Sequence, residues 1–399
     1  KLIELIKEFE DVFAQEKAEV GSNKGDEVVL KLLSDKPVNI PNYRTPLKYR
    51  DWLKNELQDL ERAGIIEKST SGYNSPCLVV PKKLDSEAAA DDPNKSKGFR
   101  VVIDYRQVNQ VLEDVSYPLP RINDIAASFA GCKVFSSVDI RHAFYSIRLS
   151  KESRKITAFS CELGKYQFRF LPQGMKISPA VFQARIEQAL AEVRRTSPYL
   201  DDILSGDVSP VKHMSTLRKL FEALRKSGFK LKLAKCQFLK EGVKFAGCLV
   251  TGQGIAMEPE KIDHASKLVL PTTVGEAKSL LGFTSFLRDH VPHYSDLVHP
   301  FQELCAQGKQ KPRADVTKFL KPKHQKALDE LKRLLQSNEI LAFPQPNKRF
   351  DLFTDASKFA ASAVLMQEKK PVGYFSTSFK GASLLWSALV KEAYAVKAA

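Results

Sequence analysis

Apolar side chains recur along much of the chain at the spacing of amphipathic helices. This spacing predicts helices over residues 2–13, 53–60 and 213–227. Gly64 and Gly228 follow the second and third of these, and glycine is the residue that most often ends a helix. Ser178 and Pro179 form an N-cap and first-turn pair. They predict one more helix, which carries Phe182, Ile186 and Leu190 on its apolar side.

Short apolar runs between polar segments predict strands at 134–140, around 243–250 and at 349–354. The small and polar stretch 84–97 predicts an exposed loop between two strands. The stretch 308–323 is rich in lysine and proline and predicts a linker. The pattern therefore predicts a mixed helix and strand protein with more than one domain.

The amino-acid composition also predicts a polyanionic partner. Sixty-two Lys and Arg against 47 Asp and Glu give a net charge of +15, which favours nucleic acid over a membrane surface. No apolar run reaches the length of about 18 residues that a membrane span needs, and no signal peptide is evident. The first residue is lysine, so we expect a segment of a longer polyprotein. Six scattered cysteines suit free thiols in a reducing compartment, and His290-x-x-His293 lacks the cysteine pair of a zinc site.

The run Tyr199-Leu200-Asp201-Asp202 is the strongest chemical signal. Apolar residues flank the acidic pair, which predicts a short hairpin with both carboxylates at its tip. Adjacent carboxylates repel each other unless a cation lies between them, so the arrangement favours Mg²⁺. The alternative is an ordinary surface turn, in which aspartate is common.

A third carboxylate, Asp139, ends the apolar strand predicted at 134–140. An unpaired acid is costly to bury there, although a helix N-cap is the alternative interpretation. With Asp201 and Asp202 it has the composition of a two-metal site for phosphoryl transfer.

Ordered motifs over nearly the whole chain support this interpretation. They lie at 65–69, 75–76, 99–106, 117–122, 138–147, 171–175, 178–180, 199–204, 235–238, 281–283 and 354–357. On these motifs the chain resembles the Pol polyproteins of Ty3/gypsy-type long-terminal-repeat retrotransposons. The resemblance implies an α+β right-hand polymerase with fingers, palm and thumb, a connection, and a truncated ribonuclease H-like α/β domain. The implied divisions are a leader (1–40), fingers and palm (41–252), thumb and connection (253–339) and the partial ribonuclease H-like domain (340–399).

The resemblance also implies a nucleotide pocket. Arg100 would bind the triphosphate, with Lys83 or Lys97 as a second cation. Phe144 would exclude a ribose 2′-hydroxyl, and Gln173-Gly174 and Leu200 would line the pocket. From the residues alone, Arg100 could be a surface strand arginine, Phe144 a core residue and Gln173-Gly174 a common turn.

Metal ligands implied by the resemblance are Asp139, Asp201 and Asp202, with Ile140. Tyr199, Phe245, Gly247, Lys230 and Lys232 are the expected primer and nucleic-acid contacts. The basic residues between 226 and 244 alternate with apolar ones, which fits either a phosphate-tracking face or a solvated sheet face equally well.

Asp355 and Glu392 match the first two carboxylates of ribonuclease H. Ala360 and Ser362 stand where the family usually has glycines, and the chain ends before the remaining acids. We therefore expect no ribonuclease H activity from this segment alone.

The implied function is RNA-directed DNA polymerisation with two Mg²⁺ ions, Mn²⁺ being a substitute. The expected partners are an RNA template, a primer/template duplex, deoxynucleotides, and the upstream protease and downstream ribonuclease H and integrase parts, with no membrane. The expected location is intracellular, in a cytoplasmic virus-like particle with an option of nuclear entry. The alternative is a decayed or domesticated copy that binds nucleic acid without catalysis.

Overall fold

The computed structural model describes residues 1–15, 19–34, 36–81, 98–307 and 311–399. These residues form two compact units. The first unit consists of Lys1–Pro120 and Phe135–Lys240, and the second of Arg121–Val134 and Glu241–Ala399. The predicted boundary at residue 252 thus falls inside the second unit, where it lies in the turn of a hairpin.

Helices and strands alternate irregularly along the described residues. The helices are α1 (Leu2–Glu8), α2 (Arg50–Arg62), α3 (Arg106–Val111), α4 (Ile122–Ala127), α5 (Lys151–Arg154), α6 (Ser178–Leu190), α7 (Pro210–Ser227), α8 (Pro259–Ser266), α9 (Val274–Phe286), α10 (Tyr294–Gln307), α11 (Pro322–Ser337) and α12 (Ala388–Ala398). The strands are β1 (Ile66–Lys68), β2 (Ser75–Pro81), β3 (Phe99–Ile103), β4 (Val134–Asp139), β5 (Phe159–Cys161), β6 (Gly164–Phe168), β7 (Thr196–Tyr199), β8 (Asp202–Asp207), β9 (Gln237–Lys240), β10 (Gly242–Phe245), β11 (Cys248–Thr251), β12 (Gly254–Met257), β13 (Leu341–Ala342), β14 (Asp351–Ala356), β15 (Ala360–Gln367) and β16 (Lys370–Ser378).

Capping residues explain where the two main helices of the first unit begin. The helix predicted at 213–227 begins earlier, at Pro210, because Ser209 caps it and its hydroxyl accepts the Lys212 N–H at 3.5 Å. It ends at Gly228, which has a φ of +79°. Ser178 is not the N-cap that its type suggested. It is the first helical residue of α6, and its hydroxyl donates to the Pro172 carbonyl at 2.8 Å.

The palm sheet, in the order β7-β8-β4-β9, is the scaffold of the predicted catalytic residues. Helix α6 packs against β7, and α7 packs against β8. Their apolar side chains, including Phe182, Leu217 and Phe221, are fully buried in one core together with Ile203 of β8. The sheet is therefore packed on its helical side, which keeps its strands rigid.

The fingers sheet has the order β1-β6-β5-β2-β3. Strands β2 and β5 are parallel, with Ser75 opposite Phe159, and the other pairs are antiparallel. Strands β2 and β3 flank the loop predicted at 84–97, as expected, while the loop itself lies outside the described residues.

The N-terminal segment packs on the palm helix α7. Phe9 and Phe13 are buried, and their rings lie 5.7 and 5.4 Å from the ring of Phe221. The Leu231 N–H donates to the Val12 carbonyl at 2.8 Å. The first residues of the predicted leader thus belong to the hydrophobic core of the first unit.

The second unit contains a sheet in the order β10-β11-β12-β13. Side chains of α9, α10 and α11 share one buried core. The linker predicted at 308–323 is wrong for its described part. Val316 is fully buried, and its N–H donates to the Thr272 carbonyl at 2.9 Å.

A three-stranded antiparallel sheet, β14-β15-β16, and helix α12 complete the second unit. Strand β14 carries Asp355 as predicted, but it begins at Asp351, two residues later than the pattern indicated. Phe353 is 59% exposed, and β14 is an edge strand of this sheet in the described residues. Nowhere in the described ranges is a helix both long and apolar enough to cross a membrane.

Candidate active site

The acidic motif lies at the turn between β7 and β8. Tyr199 pairs with Asp202, so Leu200 and Asp201 form a two-residue turn. Leu200 has a φ of +52°, which tight hairpin turns require and which costs energy for a residue with a Cβ. Asp201 is exposed and Asp202 half-buried. The sequence therefore predicted the hairpin correctly, but only Asp201 lies in its turn, whereas Asp202, also predicted at the tip, is the first residue of β8.

A fully buried glutamine of α6, Gln183, holds this turn, and the motif-based reasoning missed it. Its Oε1 accepts the Leu200 N–H at 2.8 Å, and its Nε2 donates to the Pro198 carbonyl at 3.0 Å. The Nε2 also donates to Glu187 at 2.7 Å. The only local signal was a polar residue next to the buried Phe182. Pro198 itself is accommodated because β7 is an edge strand.

Asp139 ends β4 beside the hairpin. Its side chain is largely buried, and the next residue, Ile140, donates its N–H to the Asp201 carbonyl at 2.8 Å. On its other side, the Asp139 carbonyl accepts the Lys232 N–H at 2.9 Å. Main-chain hydrogen bonds therefore bring Asp139 next to Asp201 although 62 positions separate them in the sequence.

Lys235 supplies the positive charge of this cluster. Its Nζ donates to Asp139 Oδ2 at 2.7 Å. Burial alone would lower the pKa of the Lys235 ammonium, but the hydrogen bond to Asp139 and the charges of Asp139, Asp201 and Asp202 raise it overall. Asp139 therefore forms an ion pair with Lys235, and the charges of Asp201 and Asp202 act on the same ammonium group.

The donor chemistry of this cluster fits a hard divalent cation. Three carboxylates and a nearby main-chain carbonyl are oxygen ligands of the kind that Mg²⁺ and Mn²⁺ prefer. In the described residues, no three acidic, histidine or cysteine side chains are close enough to hold an ion as they stand. Since Asp139 is bound to Lys235, ion binding requires the Asp139 side chain to share or leave that ammonium.

The turn at Gln173-Gly174 is held by an asparagine that was not predicted as a site residue. Gly174 has a φ of +91°, which favours glycine. Asn109 of α3 donates to the Gly174 carbonyl at 2.9 Å and accepts the Lys176 N–H at 2.9 Å. Gln173 is exposed, so its amide is accessible while the turn behind it is fixed.

Arg100 lies on β3 opposite Val80, with an exposed side chain. Because this side chain is exposed, its positive charge is accessible to a phosphate. Lys83 and Lys97, the predicted second cations, lie outside the described residues.

Phe144 lies in a 3-10 helix, Ala143–Ser146, that follows the strand of Asp139. Its half-buried ring meets the ring of Phe182 edge-on, with 5.7 Å between centroids. Phe182 is fully buried on α6. One side of Phe144 therefore packs on the core, and both interpretations, sugar selection and packing, are compatible with this position.

Two family models match separate parts of the chain. Residues 90–250 match the reverse transcriptase (RNA-dependent DNA polymerase) family, and 320–399 match the RNase H-like domain found in reverse transcriptase. The first match contains all three aspartates of the palm cluster. The order of the two matches is the order that the sequence motifs predicted.

Curated relatives match almost the whole chain. The Pol polyprotein from transposon 297 of Drosophila melanogaster is 33% identical over 92% of this chain and 34% of its own length. That from transposon 412 is 34% identical over 96% of this chain and 30% of its own length. Residues 90–250 belong to the reverse transcriptase family, and the chain as a whole is similar to retrotransposon Pol polyproteins. It spans about a third of the length of these curated relatives.

Solved structures confirm the predicted fold class of this reverse transcriptase. A foamy viral protease-reverse transcriptase in complex with an RNA/DNA hybrid superposes with a TM-score of 0.88 at 24% identity, over all of this chain and 52% of that one. Another, in complex with double-stranded DNA, has a TM-score of 0.84 at 25% identity over 80% of its chain. Reverse transcriptases as a class depend on divalent metal ions.

The predicted nucleic-acid contacts of the reverse transcriptase are only partly accessible. Phe245 is 1% exposed, so its side chain packs inside the second unit and cannot contact nucleic acid directly. Gly247 has a φ of +83°, and a Cβ there would collide with the amine of Lys261. Lys261 donates to the Gly247 carbonyl, so the turn is shaped by a lysine that the motifs did not indicate.

The basic run between 226 and 244 does not form one alternating strand. It contains a 3-10 helix, Leu233–Lys235, and then strands β9 and β10. Lys230 is paired with Glu19, while Lys244 is paired with Glu260. Lys232 is half-buried, and its main-chain N–H donates to the Asp139 carbonyl. The segment therefore lacks the regular strand alternation that suggested a phosphate-tracking face, and contact of Lys230 and Lys232 with nucleic acid stays a prediction.

The two ribonuclease H-type carboxylates, Asp355 on β14 and Glu392 on α12, are both exposed. Helix α12 packs on β14. The His293 Nδ1 lies 3.9 Å from Asp355 Oδ2, which places a titratable side chain beside the first acid. The absence of ribonuclease H activity stays a prediction.

Proposed function

We propose that this chain catalyses RNA-directed DNA synthesis, the addition of deoxynucleotides to a primer 3′-hydroxyl, with two Mg²⁺ ions for which Mn²⁺ can substitute. The observation that carries the proposal is the hydrogen bond between the Ile140 N–H and the Asp201 carbonyl at 2.8 Å. This bond joins the end of β4 to the turn between β7 and β8, which supports a common site for Asp139, Asp201 and Asp202. Three carboxylates that share a site are what nucleotidyl transfer requires.

The side chains divide the work of the reaction. Asp139, Asp201 and Asp202, with the Ile140 carbonyl, would hold the ions, which when bound neutralise phosphate charge and favour ionisation of the attacking hydroxyl. Arg100 would bind the triphosphate through its forked guanidinium. Gln173 and Gly174 would let the main chain approach the nucleotide closely, because Asn109 fixes that turn. Leu200 and Tyr199 would border the primer end.

The proposed partners are an RNA or DNA template, a primer/template duplex and deoxynucleotides. The net charge of +15 supports a polyanionic partner, and the similar foamy viral enzymes are described in complex with an RNA/DNA hybrid and with double-stranded DNA. The upstream protease, the downstream ribonuclease H and integrase parts, and the intracellular virus-like particle are included in the proposal because the resemblance to Ty3/gypsy-type Pol polyproteins implies them.

Primer extension on poly(rA)/oligo(dT) with Mg²⁺ and dTTP tests the proposed function. We expect extension that stops when the metal is chelated and returns when Mg²⁺ or Mn²⁺ is added. The Glu330→Gln variant is a suitable control, because Glu330 pairs with Arg333 on the exposed side of α11. It should extend primers as the parent does. A chain that binds the duplex but never extends it would favour the decayed or domesticated copy instead.

A further inference from the structure

A buried hydrogen-bonded network lies on the helical side of the palm sheet and takes no part in the proposed chemistry. Ser136 Oγ lies 2.8 Å from His213 Nε2, and His213 Nδ1 lies 2.9 Å from Asp207 Oδ2. Their side chains come from β4, α7 and β8. Ser136 and His213 are 1% and 0% exposed, so no substrate can reach them and a hydrolytic serine–histidine–aspartate site is excluded.

The network has one consistent direction of donation. The Leu239 N–H donates to Ser136 Oγ at 3.2 Å. With the neutral His213 protonated at Nδ1, the Ser136 hydroxyl donates to Nε2, and Nδ1–H donates to Asp207. Ser136 Oγ, both ring nitrogens of His213 and Asp207 Oδ2 then each have a partner, and such buried networks are stable only when they are complete.

Ser136 lies where the ladder between β4 and β9 is interrupted. The pairing shifts register between Phe135 and Ser137, and Leu239 opposite has a φ of +53°. The Ser136 hydroxyl therefore accepts a main-chain N–H at a bulge, where regular ladder pairing is disrupted. On its other side, through His213, it is tied to Asp207 of the neighbouring strand β8.

We propose that Ser136, His213 and Asp207 are positioning residues of the polymerase site, which hold β4 in register between β8 and β9. The inference rests on the proposed function. Ser136 precedes Asp139 by three residues on the same strand. A slip of one residue would turn the Asp139 side chain to the opposite face of the sheet. The network would prevent that slip because its bonds form in one register only.

The test compares Ser136→Ala and Asp207→Ala with the conservative Asp207→Asn, whose amide oxygen can still accept the His213 Nδ1–H. Ser205→Ala is the matched control. Ser205 is equally buried on β8, but its hydroxyl bonds Thr196 of the outer strand β7 rather than anything on β4. Each protein is checked for folding by thermal denaturation and assayed below its transition. Should Ser136→Ala fail to fold, the near-isosteric Ser136→Cys, a weaker donor, replaces it.

Two measurements are made on each variant: kcat and KM for dTTP, and Mn²⁺ affinity from water proton relaxation without nucleotide or primer. We expect Ser136→Ala and Asp207→Ala to lower kcat about 10- to 100-fold, as loss of supporting contacts does at other metal sites. Mn²⁺ binding should weaken in the same two variants, while their KM for dTTP stays near that of the parent. Asp207→Asn and Ser205→Ala should stay near the parent in both measurements. Folded Ser136→Ala with parental kcat and Mn²⁺ affinity would overturn the inference. A parent that never extends primers would refute the proposed function instead, and Mn²⁺ binding would still decide the positioning role.

Discussion

At the scale of single residues, Gln183 ties the catalytic hairpin to the helix behind it. Its amide is the hydrogen-bond partner of both the Leu200 N–H and the Pro198 carbonyl. Without it, two main-chain groups in a buried region lose their partners, which costs about 1–3 kcal/mol for each unsatisfied group. The hairpin that carries Asp201 would also be less firmly placed.

We therefore expect Gln183→Leu to lower the free energy of unfolding by about 1–3 kcal/mol and to lower kcat. Urea denaturation and single-nucleotide incorporation measure the two effects. Gln188→Leu is the control, since Gln188 is an exposed glutamine of the same helix and should leave both quantities unchanged. Equal behaviour of the two variants would show that the amide of Gln183 does not support the hairpin.

Phe144 is the residue whose two interpretations the structure leaves side by side, because one edge of its ring packs on Phe182. As a sugar gate, it excludes the ribose 2′-hydroxyl by a clash. Phe144→Val should then admit ribonucleotides with modest loss of deoxynucleotide use. Incorporation of rNTP against dNTP measures the change. As a packing residue only, truncation to alanine would cost about 3–5 kcal/mol and leave sugar preference as it was.

At the scale of elements, the N-terminal helix is bound to the palm more closely than a leader would be. Arg225 of α7 lies over the Phe9 ring at 4.2 Å and donates to Asp11 at 2.8 Å. Phe13 forms a bridge with Leu231, and Leu231 forms one with Ile140. A single residue, Leu231, therefore links this segment to Ile140, the residue that follows Asp139.

Phe9→Ala should accordingly lower the free energy of unfolding by about 3–5 kcal/mol. The physical reason is the cavity left between α1 and α7, where Phe9 is 1% exposed. Chemical denaturation of the full chain checks it, with Ile3→Ala as the control because Ile3 is 70% exposed. A Phe9→Ala chain as stable as the control would mean that the segment is only loosely attached.

The elements show which features a sequence can predict. The hairpin at Asp201, the strand ending in Asp139 and the helix ending at Gly228 were correct, since short-range patterns determine them. Lys235, Gln183 and Asn109 were missed because their partners are distant in the sequence. Phe245 was misread because a motif does not show burial. The interpretation of 308–323 as a linker failed because composition does not reveal the Val316–Thr272 hydrogen bond.

At the scale of the whole molecule, buried histidines make stability depend on pH. Burial lowers the pKa of His213 below its ordinary value of 6.5, against the opposing effect of Asp207, and burial likewise lowers that of His290. The unfolded chain therefore binds protons first as the pH falls. Stability is complete above about pH 6.5 and decreases below it.

We expect the free energy of unfolding from urea titrations to fall between about pH 7 and pH 5.5. In His213→Gln the dependence on pH should be shallower, whatever its absolute stability. This slope is the informative quantity, because carboxylates with ordinary pKa values scarcely titrate in that interval. An identical slope in parent and variant would contradict the contribution of His213.

The claim that the chain is a polymerase whose chemistry resides in the palm cluster is tested most directly by Asp201→Asn. The rate of single-turnover extension of a bound primer should fall steeply, because loss of a carboxylate that supports the metal-held charge removes several kcal/mol of transition-state stabilisation. Duplex affinity should change little, since it comes from lysine and arginine on phosphates. We predict a variant that binds the primer/template as the parent does and does not extend it. Extension by Asp201→Asn at the parental rate would contradict the assignment of the site.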